Sequence, residues 1–255
     1  MNFIQTVIMG IVEGITEFLP ISSTGHLIIT ANLLKIPQTD FVKSFEIAIQ
    51  LGAILAVVVL YWKYLFEKKI VLKILAAFLP TGAIGFLLYK LIKQFLIGNE
   101  HIVVYSLLIG GIALIGFELF FNKKIKTEQI EKISYRDCIL IGVFQAIAVI
   151  PGVSRSAATI VGGLALGVSR RAIVEFSFLL AVPTMLAATG LDIVQNASSW
   201  SANQISTMAL GFAISFIFAI ISIKFLLKFI KNNNFIPFGI YRIIIAIFLL
   251  IFILK

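Results

Sequence analysis

The chain has 255 residues, 60% of them hydrophobic and 13% charged, with a mean hydropathy of +1.07 and a formal net charge of +9. Apolar runs that repeatedly approach the roughly 20 residues needed to cross a bilayer exclude a soluble globular protein and indicate an all-α polytopic membrane protein. The basic balance comes with no basic, aromatic-interleaved face in a soluble segment, which argues against nucleic acid as a partner, and the single cysteine, Cys138, excludes an intramolecular disulfide.

The start, Met1-Asn2-Phe3, lacks the basic region and small-residue cleavage site of a signal peptide, so the first apolar segment is expected to stay in the mature protein. Apolar segments then fall near residues 3–19, 21–34, 42–62, 70–89 and 102–121, and again near 137–150, 154–168, 172–194, 206–230 and 236–254. No polar stretch is longer than the basic connection near 122–136, so one integral membrane domain is expected over 1–255.

The first two segments meet in Glu13-Gly-Ile-Thr-Glu17-Phe-Leu-Pro20-Ile-Ser22-Ser23-Thr24-Gly25-His26. Polarity of this density at membrane depth points to chemistry or transport. Glu13 and Glu17, four apart, share one helix face. In low dielectric two adjacent carboxylates keep a proton between them or hold a divalent cation. A plain hydrated helix end is the alternative, and the flanking Ile11, Val12, Ile15 and Phe18 speak against it. Gly10 and Gly14 share the same spacing and would let a neighbouring helix approach. Pro20 ends the first limb, and Ser22, Ser23 or Thr24 can cap the second. Capping uses one hydroxyl and leaves two, while the free amides of a helix start form an anion site. His26 beside Ser23 and the acid pair is suited to general acid/base work, although a lone histidine is often structural. Further on, Glu46 and Gln50 share a helix face that can line the same cavity, and His101 lies in a polar loop beside Asn99 and Glu100.

About 131 residues after the first motif comes Gln145-Ala-Ile-Ala-Val-Ile-Pro151-Gly-Val-Ser154-Arg155-Ser156-Ala-Ala-Thr159. Pro20 aligns with Pro151, Phe45 with Phe176, Gly52 with Pro183, and, with a one-residue shift upstream, Glu13 with Gln145. Ser154 and Ser156 repeat the anion-site hydroxyls, and Arg155 adds a planar guanidinium suited to phosphate; an ion pair with Glu13 or Glu17 is its structural alternative. Glu118, Glu175, Asp192 and Arg242 fall near predicted segment ends, where snorkelling accounts for them.

The repeat predicts the architecture. In each half the first two segments are broken by proline, and a limb of about 13 residues reaches about 20 Å, short of the roughly 30 Å hydrocarbon core. Each pair therefore reads as a re-entrant helical hairpin, followed by three full crossings. An odd number of crossings makes an inverted-topology repeat, with repeat one about 1–127 and repeat two about 132–255. Fourteen Lys and Arg residues fall in the connections on one side, among them Lys63, Lys68, Lys69, Lys73 and Lys126, against five on the other, which puts the first group in the cytoplasm.

The two long motifs closely resemble the signatures of the bacterial undecaprenyl-diphosphatase, or bacitracin-resistance, family, and Phe45-Glu-Ile-Ala-Ile-Gln50-Leu-Gly-Ala looks like a third family segment. That resemblance implies a cytoplasmic-membrane enzyme that hydrolyses undecaprenyl diphosphate to undecaprenyl phosphate and inorganic phosphate, recycling a cell-wall lipid carrier at a site opening outward. It also implies a divalent metal ion, Mg or Ca, held by Glu13 and Glu17, and catalytic roles for Glu13, Glu17, Ser23, His26 and Arg155. Ser22, Thr24, Ser154, Ser156, Thr159 and Gln50 are the expected substrate-binding groups. In the expected chemistry Ser23 attacks phosphorus and His26 moves the proton, with attack by water as the variant. The sequence leaves a homodimer open. A lipid-phosphate flippase or anion carrier built on the same repeat is the alternative function. The type 2 phosphatidic acid phosphatases are excluded, because their catalytic histidine follows a Ser-Arg element and no histidine follows Arg155.

Overall fold

The computed structural model describes residues 1–91, 100–120, 125–196 and 201–252; their regular secondary structure is helical, apart from one isolated parallel bridge, Thr127 to Val168. The α-helices among them are α1 (Phe3–Thr16), α2 (Ser23–Leu33), α3 (Asp40–Phe66), α4 (Lys68–Leu91), α5 (Glu100–Phe120), α6 (Tyr135–Ala146), α7 (Arg155–Ala165), α8 (Arg170–Asn196), α9 (Ala202–Phe229) and α10 (Ile236–Phe252). Their starts follow local capping chemistry. Asn2 with Gln5 and Ser201 with Gln204 form capping boxes on α1 and α9, and Thr39 and Ser134 cap α3 and α6, each side-chain oxygen satisfying an amide that the helix cannot.

Length divides the helices into two kinds. α3, α5, α9 and the Lys68–Leu88 part of α4 are long and apolar enough to cross a membrane. α1, α2, α6 and α7 have 14, 11, 12 and 11 residues; at 1.5 Å per residue they reach about 16 to 21 Å, too little for a crossing. The segment expected over 137–150 is helical only to Ala146 and continues as a 3-10 turn, Ile147–Val149.

The long helices surround the short pairs. α9 packs on α1 and α3, α4 on α6 and α8, α5 on α10, and α3 on α8. Absent side chains set the α1–α9 approach: a Cβ on Gly14 would lie 2.5 Å from the Ser215 carbonyl oxygen, and one on Gly10 would lie 2.9 Å from that of Gly211. Ser222 reinforces the contact by donating to the Ile15 carbonyl at 2.7 Å. Gly14→Ala should therefore destabilise the fold by about 1 to 3 kcal/mol, the usual range for overpacking, read as a lower midpoint in detergent thermal unfolding; an unchanged midpoint would mean that α9 yields freely. Below the turn after α1, the fully buried Phe18 meets Phe178 of α8 edge-on at 5.3 Å and so anchors the backbone that carries Glu17.

Two of the polar groups expected to snorkel at segment ends do not. Arg242 lies inside α10 with no solvent exposure. Glu118 is buried between Arg170, at 2.7 Å, and the Phe235 amide, at 3.1 Å. Neighbouring segments cover both side chains, Glu118 in the last turn of α5 and Arg242 in the interior of α10. Glu175 pairs with Arg171 one turn away at 3.1 Å, and His101 is exposed. The Asp192 side chain, and Lys90, Lys93, Lys123, Lys124 and Lys255 of the charge count, lie outside what is described.

Candidate active site

The two breaks in the short-helix pairs end in the same way. Ser22 (φ 72°, ψ 98°) precedes α2 and Ser154 (φ 75°, ψ 112°) precedes α7, and each side chain accepts from the amide three residues on, Gly25 or Ala157. Positive φ at a residue with a Cβ is unfavourable and persists where its surroundings enforce it. Gly152 (φ 91°) has no room for a side chain, since a Cβ there would come within 2.5 Å of the Val103 carbonyl. The two tips touch: the Ser156 hydroxyl donates to the Leu19 carbonyl at 2.9 Å.

Between the tips lies a chain of short polar contacts. Ser23 Oγ donates to Glu17 Oε2 at 2.6 Å. Glu17 Oε1 accepts from Arg155 Nη2 at 3.2 Å, and Arg155 Nη1 donates to the Ser177 carbonyl at 2.9 Å. One carboxylate thus links a serine hydroxyl from the first tip to a guanidinium from the second. Two groups beside this chain stay unsatisfied within the protein: Arg155 Nε, and both carboxylate oxygens of the fully buried Glu13. Glu17, Glu46 and Arg155 are the charges that act on Glu13.

A cavity of about 140 Å³ opens between the tips. Of the polar residues singled out in the sequence, Glu17, Ser22, Ser23, Thr24, Gln50, Ser154 and Arg155 line it, with Ile150 and Met185 among the apolar walls. Glu13, His26, Ser156 and Thr159 do not. Ser156 is spent on Leu19, and Thr159 is buried against the Ser177 hydroxyl and the Arg155 and Ser156 carbonyls. His26 faces away from the Ser23 hydroxyl: its Nδ1 lies 2.7 Å from the Ser22 carbonyl and its Nε2 2.8 Å from the Tyr241 hydroxyl, with the two rings stacked. Because a carbonyl can only accept, Nδ1 carries a proton. The hydroxyl that sequence reasoning paired with His26 is paired here with Glu17.

Sequence reasoning missed three participants. Ser177 supplies a carbonyl to Arg155, and its only signal was its alignment with Glu46 at the repeat offset. Tyr241 and Arg242 stand together in an otherwise apolar α10, and an arginine at that depth was the available signal.

Chemically, the first amides of α2 and α7 have no partners within their helices. With Arg155 they form an anion site at two helix starts, and a serine hydroxyl hydrogen-bonded to a carboxylate sits beside it. Glu13 and Glu17 could hold a divalent cation through the oxygens that Glu13 leaves free. No group of three His, Cys, Asp or Glu residues with metal-binding spacing occurs among the described residues, so such an ion would complete its shell with water or phosphate oxygens, as Mg2+ commonly does.

A family model described as bacitracin resistance protein BacA matches residues 6–248. The chain belongs to the BacA family. Among its relatives, the undecaprenyl-diphosphatase of Aquifex aeolicus is 55% identical over 244 residues, 95% of each chain. That of Sulfurihydrogenibium sp. is 53% identical over 248 residues, 97% of this chain and 98% of the relative, and that of Persephonella marina is 50% identical over 256 residues, the whole of both. The stretch that matches BacA contains both serine-capped breaks, every described polar residue of the cavity, and Tyr241 and Arg242. With its long apolar helices, this BacA chain is a multi-pass bacterial membrane protein.

Proposed function

We propose that the chain hydrolyses undecaprenyl diphosphate to undecaprenyl phosphate and inorganic phosphate, and by regenerating the lipid carrier for cell-wall polymers confers bacitracin resistance. The observation that carries this reading is the Ser23–Glu17–Arg155 chain across two helix starts in one cavity, in a protein about half identical, end to end, to undecaprenyl-diphosphatases. The test is phosphate release from a polyprenyl diphosphate by purified protein in detergent. With no second compartment present a flippase or carrier releases none, so an inactive, well-folded preparation would sink the enzyme reading.

In the proposed chemistry the diphosphate enters between the helix starts. Arg155, its fork held by the Ser177 carbonyl and Glu17, offers its free Nε to the phosphate oxygens, neutralising charge that grows as phosphorus is attacked. Ser23 Oγ forms a bond to the terminal phosphorus while its proton passes to Glu17 Oε2, and the bond from phosphorus to the bridging oxygen breaks, so that undecaprenyl phosphate leaves. Glu17 hands that proton to the departing undecaprenyl phosphate; water then attacks the phosphoserine, giving a proton to Glu17 as the bond from phosphorus to Ser23 Oγ breaks, and Glu17 returns it to Oγ, releasing phosphate. Direct attack by water is the competing route, and trapped phosphoserine at Ser23 distinguishes the two. His26, hydrogen-bonded to Ser22 and Tyr241, orients the start of α2.

Glu13 and Glu17 would hold the divalent ion, Mg2+ or Ca2+, which when bound supplies further neutralisation of the diphosphate. The unpartnered oxygens of Glu13 are what favour it. Excess chelator should then abolish activity, and Glu13→Gln should raise the metal concentration for half-maximal rate about tenfold or more, within the range seen when metal-site partners are removed. Full activity in chelator would leave Glu13 as a proton holder or packing group.

The proposed frame is an inverted repeat, residues 1–127 and 132–255, within one membrane domain, each half a re-entrant hairpin plus three crossings. Exchange of α1–α5 with α6–α10 turns the α1–α9 contact into α6–α4, α3–α9 into α8–α4 and α1–α2 into α6–α7, all of which occur. The shared serine caps support the same reading. The basic connections support a cytoplasmic location for Glu67 and Glu128 and an outward-opening site, in a bacterial cytoplasmic membrane. In a Cys138→Ser background, cysteines at Glu67 and Glu128 should resist an impermeant thiol reagent in intact cells while one at Ser201 labels. The reverse pattern would turn the site inward.

A further inference from the structure

The geometry points to Arg242 as a positioning residue that fastens both helix-break tips to α5 and thereby sets the separation of Ser23 and Glu17 from Arg155. This rests on the phosphatase reading for its catalytic consequence. Its structural premise stands on the hydrogen bonds alone.

Arg242 donates from Nε to the Leu107 carbonyl at 3.3 Å, from Nη1 to those of Pro20 at 3.4 Å and Val153 at 2.8 Å, and from Nη2 to those of Ser106 and Gly152, both at 3.0 Å. Pro20 lies in the first break, between Glu17 and Ser23. Gly152 and Val153 lie in the second, just before the Ser154 cap and Arg155. Ser106 and Leu107 belong to α5, the helix on which α10 packs. A guanidinium has five N–H donors in one plane, and here all three of its nitrogens are used on three separate stretches of chain.

Ordinary stabilisation does not account for such a group. A buried cation in hydrocarbon is costly, and among the described residues no carboxylate pairs with Arg242. Carbonyl dipoles compensate it instead, and three of the five, those of Pro20, Gly152 and Val153, belong to the non-helical stretches that lead into Ser22 and Ser154. The fold also makes room for it: a Cβ on Gly110 would come within 2.8 Å of the Arg242 Cζ. The adjacent Tyr241 adds a strut to the first tip through His26 and the Ser22 carbonyl. Loss of this fixture leaves every cavity side chain in place and lets the two tips shift relative to one another.

The experiment compares Arg242→Lys, which keeps a charge but offers three donors on one atom, with Gly110→Ala, which keeps Arg242 and displaces its fork. Nitroxide labels on Thr24→Cys and Ile150→Cys, one beside each tip, in a Cys138→Ser background report tip separation without reference to activity. Both variants are expected to broaden a distribution that is narrow in the parent. In the unlabelled enzyme, kcat for a polyprenyl diphosphate should fall about 10- to 100-fold, the scale of a 1 Å misplacement, with KM moving much less. In an Arg155→Ala background the same changes should cost little, since the group they position is gone. Narrow distributions in both variants, a normal kcat, or full additivity with Arg155→Ala would each overturn the proposal. Failure of both variants to fold would overturn it in favour of a role in folding. A parent enzyme that releases no phosphate would remove the phosphatase reading, while the label distances would still decide whether Arg242 holds the tips.

Discussion

Glu17→Gln is expected to lower kcat by about 10²- to 10⁴-fold, the range ascribed to a general base, in a protein that remains folded and monodisperse. Glutamine keeps the length and an acceptor oxygen, so the Ser23 hydroxyl retains a partner at the 2.6 Å position. What it loses is the capacity to receive a proton, along with the charge that faces Arg155 at 3.2 Å. The measurement is single-turnover hydrolysis with mass spectrometry of Ser23. Slow formation of phosphoserine places the loss in the attack step, whereas accumulated phosphoserine places it in hydrolysis of the intermediate. A rate within a factor of a few of the parent would remove Glu17 as the proton acceptor and return that role to His26 or to water.

Arg155→Lys should fold and insert normally and lose about two orders of magnitude or more in kcat, corresponding to the roughly 3 to 4 kcal/mol typical of one transition-state donor. The positive charge survives, but a lysine cannot hold the Ser177 carbonyl with one arm and the Glu17 carboxylate with another while offering a third donor to phosphate. The kinetic split matters: an equal fall in kcat and kcat/KM marks a contact made in the transition state. A protein that fails to fold would mark the Arg155–Glu17 pair as structural, and near-normal turnover would take Arg155 out of the chemistry.

Much of this arrangement was legible before any coordinates. The short, proline-broken segments announced themselves by length, and Ser22, Ser154 and Arg155 by their place directly after a break, because helix starts have a strong local grammar. What was not legible depends on which way a side chain turns once helices pack. Ser156 and Thr159 share a motif with Arg155, yet their hydroxyls are held by the Leu19 carbonyl and by Ser177 and do not line the cavity. His26 is adjacent to the key hydroxyls in sequence but one turn along α2, where Tyr241 captures it. Arg242 was misread for a different reason: hydropathy locates segment ends to within a few residues and says nothing about which neighbouring helix covers them. Glu118 went the same way.

The acceptors of Arg242 are all main-chain oxygens, which every amino acid at those positions would provide. No side-chain substitution at the acceptor positions can therefore answer a change at Arg242, and pairwise covariation has no acceptor column in which to record these hydrogen bonds. A guanidinium that grips peptide carbonyls is in this sense a one-sided dependency: it can be lost by one mutation and leaves no trace of its partners in the text of the protein.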